Sequence, residues 1–391
     1  MAAPNRQVVL VCLLFAVAST MATLLVATSA NVGAALSGGD KLATLPIALS
    51  LTGGVLAAVP ASRAMARWGR QVGLQLFAGI GIVGALGAAL AIELGSFRGF
   101  CVASVLLGAM VGSGQFYRFT AGEVARPGGR EQALGYALAG GVFGGLAGPE
   151  IAARTADLGK VTFMATFVAV AVLALVNLLL LLALNAPRPA QVTTRARLAV
   201  DRPFIAAVVA GVVAYGAMVL TMYAAPLSLH TLGHGFATSA RVLQAHVVAM
   251  YLPSFVSGIF VARVGPGKGM AAGILAIGAC AATSVAGTSL WNYGVALVLL
   301  GVGWNLLFVA ATALLARTHA GADKAKAQGL NETVVGAASA TAAFLAGPLH
   351  AAVGWTDLNL VVGAFVALAA LALLAILRPR PVDPTAPAMP S

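Results

Sequence analysis

The chain has 391 residues, of which 60% are hydrophobic and only 9% are charged. A soluble globular domain carries about a quarter charged residues, so this composition excludes an ordinary soluble enzyme and indicates a protein that crosses a membrane several times. The formal net charge of +12 falls in short segments between apolar runs, and we do not expect a nucleic-acid partner. Three scattered cysteines, Cys12, Cys101 and Cys280, match neither a disulfide framework nor a zinc site.

Apolar runs long enough to cross a bilayer recur along the whole chain. A membrane helix needs about 20 mostly apolar residues, and charges together with Gly/Pro clusters separate twelve such runs. We therefore predict an all-α membrane protein. No phosphate loop, catalytic triad or HExxH motif stands out in the sequence, so we predict no enzymatic activity. Its spans are predicted at residues 8–33, 42–62, 72–92, 99–122, 131–153, 161–185, 204–229, 237–261, 270–288, 291–316, 328–350 and 356–377.

The longest polar connector lies between the sixth and seventh predicted spans and divides the chain into two six-helix halves. We predict an N-terminal half at 1–185, a cytoplasmic linker at 186–202, a C-terminal half at 203–380 and a Pro-rich cytoplasmic tail at 381–391. A central cavity is expected between the halves, with transport by alternating access.

The positive charges predict the orientation of the chain. Of the 23 Lys and Arg residues, 17 fall in the segments on the side of the N-terminus, five fall on the other side, and Arg118 lies inside a span. Cytoplasmic loops carry an excess of Lys and Arg. We expect a multi-pass monomer in a bacterial cytoplasmic (inner) membrane with both termini in the cytoplasm.

Two short motifs recur about half a chain length apart. The sequence ARWG at 66–69 follows the second span, and ARVG at 262–265 follows the eighth. Likewise LAGP at 146–149 ends the fifth span, and the same letters at 345–348 end the eleventh. Parallel repeats of this kind indicate two pseudo-symmetric halves related by an axis along the membrane normal.

Several motifs resemble those of major facilitator transporters. The segment SRAMARWGRQ at 62–71 resembles the loop motif GxLaDRxGRR of that superfamily, although Ala66 replaces its Asp. In the fourth span, RFTAG at 118–122 resembles the family's RxxxG. The pattern G-x8-G-x3-G-P, which begins at Gly135, is associated with antiporters of the family.

Two pairs of potential soft-metal ligands lie on neighbouring predicted spans. Met218 and Met222 form M-x3-M in span seven, and His246 and Met250 form H-x3-M in span eight. Residues four apart share one helix face, and at about 1.5 Å of rise per residue the two pairs lie at overlapping depths. Thioether sulfur and neutral imidazole suit Cu(I) better than Mg, Ca or Mn. The sequence therefore predicts a site for transported copper, with methionine packing in the core as the structural alternative.

The same segments resemble the CcoA-type copper importers of that superfamily. YAAPL at 223–227 follows M-x3-M, and LPSF at 252–255 follows H-x3-M, as in those importers. The resemblance implies that the four residues are metal ligands and that the imported copper supplies cytochrome oxidase assembly, with hand-off to a copper chaperone as a further option. The same subfamily includes riboflavin importers of the RfnT type, so the framework leaves the substrate open.

Other polar residues in or near the spans suggest auxiliary roles. Arg118, Glu123 and Glu150 are candidates for coupling or gating, because an ionised group inside a membrane needs a partner or a water-filled cavity; a static ion-pair network is the alternative. His230 and His234 are a second i, i+4 pair that would capture metal at the mouth, or simply solvated loop residues. Candidates to line the cavity are Asn31, Gln115, Tyr117, Trp304 and Asn305.

We therefore expect a copper importer that binds Cu(I) as substrate through its Met/His cluster, in the lipid bilayer and with no permanent cofactor. Import of a small organic solute such as riboflavin is the first alternative, with Tyr117, Gln115, Trp304 and Asn305 supplying stacking and hydrogen bonds. A proton-coupled drug exporter is the second, favoured by the glycine pattern. A membrane-bound metal sensor is disfavoured, because the sequence shows no soluble signalling domain.

Overall fold

The computed structural model describes residues 5–126, 130–186, 200–318 and 321–377. Within these ranges the chain forms helices joined by short turns, with no β-strand, as the sequence predicts. The helices are α1 (Arg6–Ser37), α2 (Leu45–Trp68), α3 (Arg70–Glu93), α4 (Phe97–Gly114), α5 (Phe116–Val124), α6 (Arg130–Thr155), α7 (Met164–Leu182), α8 (Arg202–Thr231), α9 (Phe236–Tyr251), α10 (Ser254–Val264), α11 (Pro266–Ala286), α12 (Leu290–Thr318) and α13 (Gly321–Leu377).

These helices agree with the twelve predicted spans. By length and composition, nine described helices are apolar enough to cross a membrane, and Phe236–Tyr251 with Val256–Val264 forms a tenth span bent by 48°. The apolar stretch in α13 has 48 residues. Such a helix measures about 72 Å, more than twice the hydrocarbon thickness of a bilayer. Gly354, with φ 73°, breaks α13 into two spans, and the glycine-rich α6 supplies the remaining one.

The repeated glycines have the same backbone conformation in both halves. Gly69 ends α2 with φ 96° and ψ 160°, and Gly265 ends α10 with φ 89° and ψ 155°. Each is followed at once by the next helix. Other residues avoid such positive φ values because of their Cβ atom. The repeat that the sequence predicts is thus visible as two equivalent helix junctions.

The ends of the bundle are identified by contacts between chain segments that are distant in sequence. The Asn5 side chain donates to Val124 O at 2.8 Å, and the Gln71 side chain donates to Leu181 O at 2.9 Å. The starts of α1 and α3 therefore meet the ends of α5 and α7. We call this end, where α8 also begins after the linker, the linker side, and we call the opposite end the far side.

The two halves are joined at the far side. Three hydrogen-bond and ring contacts between described residues of the two halves lie there. They are Gly347 N to Thr44 Oγ1 at 2.9 Å, Gln244 Nε2 to Leu146 O at 2.7 Å, and the edge-to-face rings of Phe163 and Phe236, whose centroids are 4.8 Å apart. Phe163 has φ 70°, an uncommon conformation for a residue with a side chain. The structure is therefore closed on the far side.

Candidate functional site

The four predicted copper ligands lie inside the C-terminal half. Met218 and Met222 are on α8, while His246 and Met250 are on α9. All four side chains are buried. The three methionines belong to one contiguous apolar cluster, and His246 is fully shielded from solvent. Sequence reasoning therefore placed these side chains in the interior correctly. The apolar surroundings are compatible both with a soft-metal site and with simple core packing.

His246 has a fixed orientation. Its Nδ1 lies 2.7 Å from the backbone oxygen of Leu297 on α12. A carbonyl oxygen only accepts hydrogen bonds, so Nδ1 carries the proton, and in the neutral ring Nε2 keeps its lone pair. Nε2 is buried, and no described residue forms a hydrogen bond with it. An imidazole held through one nitrogen with the other nitrogen vacant is the arrangement that metal-binding histidines use.

An aromatic cluster lies next to these residues, on α8, α9 and α12. The rings of Trp304 and Phe308 are stacked, with centroids 5.1 Å apart and planes 6° apart. Tyr215 and Tyr251 meet Trp304 edge-on at 5.3 and 6.3 Å. A Cβ built on Gly141 of α6 would lie 3.2 Å from the Tyr251 ring. The cluster therefore reaches the boundary between the two halves.

Two buried polar atoms beside the aromatic cluster, Trp304 Nε1 and Asn305 Oδ1, have no hydrogen-bond partner in the part of the chain that the structure describes. The amide nitrogen of Asn305 donates to Met250 O at 2.8 Å and to Ser254 Oγ at 2.7 Å, which fixes the direction of its oxygen. Buried polar atoms are normally hydrogen-bonded. One donor and one acceptor thus stay available next to the stacked rings.

The predicted gating carboxylates lie in two different environments. Glu123 accepts two hydrogen bonds from the Arg70 guanidinium, at 2.9 and 2.5 Å, and the Arg70 side chain is only 8% exposed. Glu150 pairs with Arg154 one helical turn away, on the exposed surface. Arg118 lies in α5, but its side chain is outside the described residues. Glu123 therefore bridges α5 and α3, whereas Glu150 forms a surface pair.

Of the predicted cavity residues, Tyr117 and Asn31 bond within the N-terminal half, and Gln115 is exposed. The Tyr117 hydroxyl donates to Asn177 Oδ1 at 2.5 Å, and the Asn177 amide donates to Leu14 O. Tyr117 therefore ties α5, α7 and α1 together within the N-terminal half. The Asn31 amide donates to its own helix at Ala27 O, and Gln115 is exposed between α4 and α5. These contacts support structural roles for Tyr117 and Asn31, while Trp304 and Asn305 keep the features of a binding site.

The second histidine pair lies at the far side. His230 is exposed in the last turn of α8, and His234 is half-buried in the turn before α9. Both are several residues above the buried ligand pairs. Their place at the mouth agrees with the capture role or with solvated loop residues.

The sequence did not reveal which aromatic rings surround Trp304, nor that Glu123 pairs with Arg70 and Tyr117 with Asn177. Trp304 and Phe308 are four residues apart and share one face of α12, a signal that was present in the sequence. Tyr215 and Tyr251 come from other helices, so only the packing brings them to Trp304. The same holds for Arg70 and Glu123, and for Tyr117 and Asn177.

Two six-helix halves, with a buried polar and aromatic site in the second half that reaches their boundary, are the architecture of a membrane transporter. The chain belongs to the Major Facilitator Superfamily, whose sequence profile matches residues 207–391. It is 32% identical over 388 residues, and 97% of each chain, to the riboflavin transporter RfnT of Brucella anthropi. That similarity assigns it to the subfamily of CcoA- and RfnT-like transporters.

Solved structures of transporters share the fold. A D-xylose-proton symporter matches with a TM-score of 0.75 and 16% identity over 95% of this chain and 96% of that one. The xylose transporter XylE of E. coli in an inward-open conformation matches with a TM-score of 0.72 and 15% identity over 96% of both chains. The relatives in sequence and in structure are transporters, in keeping with the expectation that this chain is not an enzyme.

Proposed function

We propose that this protein imports a planar organic solute of the riboflavin class. The observation that carries the proposal is the stacked Trp304–Phe308 pair, edged by Tyr215 and Tyr251, at the boundary between the halves. Aromatic rings stack on flat heterocycles with centroids about 4.5–7 Å apart. The name of the 32% identical relative supports the same substrate class.

The polar atoms beside the rings suit such a solute. A flavin carries ring carbonyls and an imide N–H along one edge. Trp304 Nε1 would donate to a carbonyl, and Asn305 Oδ1 would accept from the N–H. In a site built to hydrogen-bond its ligand, such atoms are unpaired when the ligand is absent. Leaving them unpaired costs free energy, so a ligand that bonds to both atoms binds more tightly than one that does not.

The test is uptake of radiolabelled riboflavin by cells with and without the protein. Trp304→Leu should reduce uptake at least about tenfold, since it removes the stacking face and one hydrogen-bond donor. Trp291→Leu is the matched control, because Trp291 is 79% exposed, and it should transport normally. Riboflavin uptake that does not depend on the protein would overturn the proposal.

Copper import is the second candidate, and the His246 ring favours it. Nδ1 is anchored on Leu297 O while the buried Nε2 has no partner, and three buried methionines lie on the same two helices. In this proposal Met218, Met222, His246 and Met250 hold Cu(I) as the transported substrate, and the aromatic cluster closes over it. A copper chaperone would receive the ion inside the cell.

Copper uptake by the same cells separates the two candidates. Under copper import, Met222→Leu and His246→Ala abolish radioactive copper accumulation, because Leu keeps the volume of Met but lacks its sulfur. Met270→Leu, at a 1% exposed position in α11, is the control. Silver should compete and manganese should not. Copper uptake equal in all variants would remove this candidate.

We also propose the orientation that the charge distribution predicts. The linker side, with the linker at 186–202 and the tail at 381–391, lies in the cytoplasm of a bacterial cell, and the far side faces outward. The far-side-closed structure would then be the state that releases substrate inward. In this proposal Arg118 and Glu123 take part in gating, since Arg70 and Glu123 meet where the linker-side ends of α3 and α5 pack together.

A further inference from the structure

A small cleft opens between the two halves at the far side. It has a volume of about 170 Å³ and lies between α6 of the N-terminal half and α9 of the C-terminal half. Its walls are therefore brought together only when the far side is closed. The residues that line it are Pro149, Glu150, Ala153, Arg154, Ala237, Ala240, Arg241 and Gln244.

The rim of the cleft carries a net positive charge. Arg154 and Glu150 neutralise each other through a bond of 2.7 Å. Arg241 takes part in none of the ion pairs of the described residues. The Gln244 amide nitrogen donates a hydrogen bond to Leu146 O, and the amide oxygen of Gln244 carries no full charge that would neutralise Arg241. The cleft thus offers two guanidinium groups. That of Arg241 is in no ion pair with a described residue, and that of Arg154 is paired with Glu150.

The floor and the depth of the cleft suit a lipid. Three of its eight lining residues are alanines, and we call the part of the wall formed by Ala153, Ala237 and Ala240 the alanine floor. Arg154 is one residue from the end of α6, and Arg241 lies five residues into α9, about 8 Å below the start of the helix. With the start of α9 at the bilayer surface, Arg241 would lie in the headgroup region, which adds roughly 5–8 Å to each side of the hydrocarbon core.

We propose that this cleft binds the phosphodiester headgroup of an anionic phospholipid. Arg154 and Arg241 donate to the phosphate oxygens, as guanidinium groups do in a planar and often bidentate manner, and the start of an acyl chain lies on the alanine floor. Because the two arginines belong to opposite halves, the bound lipid holds the far side closed. The site is separate from the aromatic and His246 region, and it does not depend on the substrate.

The test uses the purified protein in nanodiscs of phosphatidylglycerol or phosphatidylcholine. Native mass spectrometry should find phosphatidylglycerol retained preferentially, and Arg241→Gln should weaken its retention about tenfold, as expected for one charge-assisted hydrogen bond. Arg98→Gln, at an exposed position at the far-side start of α4, should leave retention unchanged. Glu150→Gln should strengthen retention, since it frees Arg154.

Thermal unfolding supplies the second measurement. Phosphatidylglycerol should raise the melting temperature of the unmodified protein more than that of Arg241→Gln, while inorganic phosphate in detergent should have no such effect. Equal loss of lipid in Arg98→Gln and Arg241→Gln would mean general surface attraction and overturn the site. Stabilisation by inorganic phosphate alone would overturn the assignment to a lipid.

Discussion

The buried polar side chains of the two halves differ in how they are paired. In the N-terminal half, Tyr117 bonds to Asn177, Glu123 pairs with Arg70, and Thr44 accepts from Gly347 N of the other half. In the C-terminal half, His246, Trp304 and Asn305 each keep an atom without a hydrogen-bond partner among the described residues. Paired groups hold helices together, whereas vacant ones are free to meet a ligand. We therefore expect the C-terminal half to make the polar contacts with the substrate.

The two ion pairs should differ strongly in their contribution to stability. Glu123→Gln leaves the Arg70 guanidinium, which is 8% exposed, without its charge partner. Removing one member of a buried pair costs about 3 kcal/mol. Glu150→Gln removes a partner of Arg154, whose side chain is 78% exposed, and should cost less than about 1 kcal/mol. Thermal unfolding in detergent measures both; equal melting temperatures would show that the Arg70 pair is not stabilising.

At the element scale, glycines set the distance between helices. A Cβ built on Gly108 of α4 would lie 1.8 Å from Ser50 O on α2, and one built on Gly53 of α2 would lie 2.2 Å from Val105 O. Both contacts are with backbone oxygens, and a backbone atom cannot relieve a clash by adopting another rotamer as a side chain can. Close backbone approach through small residues is the usual means of helix packing in membranes. The pair α2–α4 therefore depends on these two positions.

Gly108→Ala should separate α2 from α4 and destabilise the protein. The loss expected for forcing a methyl group into a well-packed contact is about 1–3 kcal/mol. Gly278→Ala in α11 is the control, since nothing lies within 4 Å of its built Cβ, and it should be neutral or stabilising through helix propensity. The melting temperatures of both variants in one detergent test this. A Gly108→Ala variant as stable as Gly278→Ala would contradict the packing argument.

At the scale of the whole molecule, the far side is closed by contacts between α6 and α9 and between α2 and α13. Gly145 and Val247 show how close the halves are, since a Cβ built on Gly145 would lie 3.3 Å from the Val247 Cβ. Disulfides join Cβ atoms about 3.5–4.5 Å apart. The same kind of pair exists inside one half, where the built Cβ of Gly269 lies 3.7 Å from the Val261 Cβ.

Cross-linking these pairs tests alternating access. With Cys12, Cys101 and Cys280 replaced by Ser, the double variant Gly145→Cys/Val247→Cys should lose transport on oxidation and regain it on reduction, because the far side must open in every cycle. The control Gly269→Cys/Val261→Cys should cross-link without losing transport, because it joins parts of a single half. Undiminished transport by the oxidised Gly145→Cys/Val247→Cys variant would contradict the rocking of the halves.

The number of spans, the two halves, the repeated motifs that end at Gly69 and Gly265 and the transporter class could all be predicted from the amino-acid sequence alone. Hydropathy, the glycines and charges that separate apolar runs, and the spacing of motifs are all properties of the sequence itself, so they can be recognised without knowing how the helices pack. The sequence also placed Met218, Met222, His246 and Met250 in the interior, because polar or soft groups in an apolar run lie within a bundle.

Which side chains contact each other depends on how the helices pack. Arg70 as the partner of Glu123, Asn177 as the partner of Tyr117, and Tyr215 and Tyr251 as the neighbours of Trp304 each depend on the rotation of a helix about its own axis. That rotation is set by packing against neighbouring helices, and in spans as uniformly apolar as these the sequence leaves no strongly polar face to mark it. The same packing fixed the His246 ring on Leu297 O and left its Nε2 vacant.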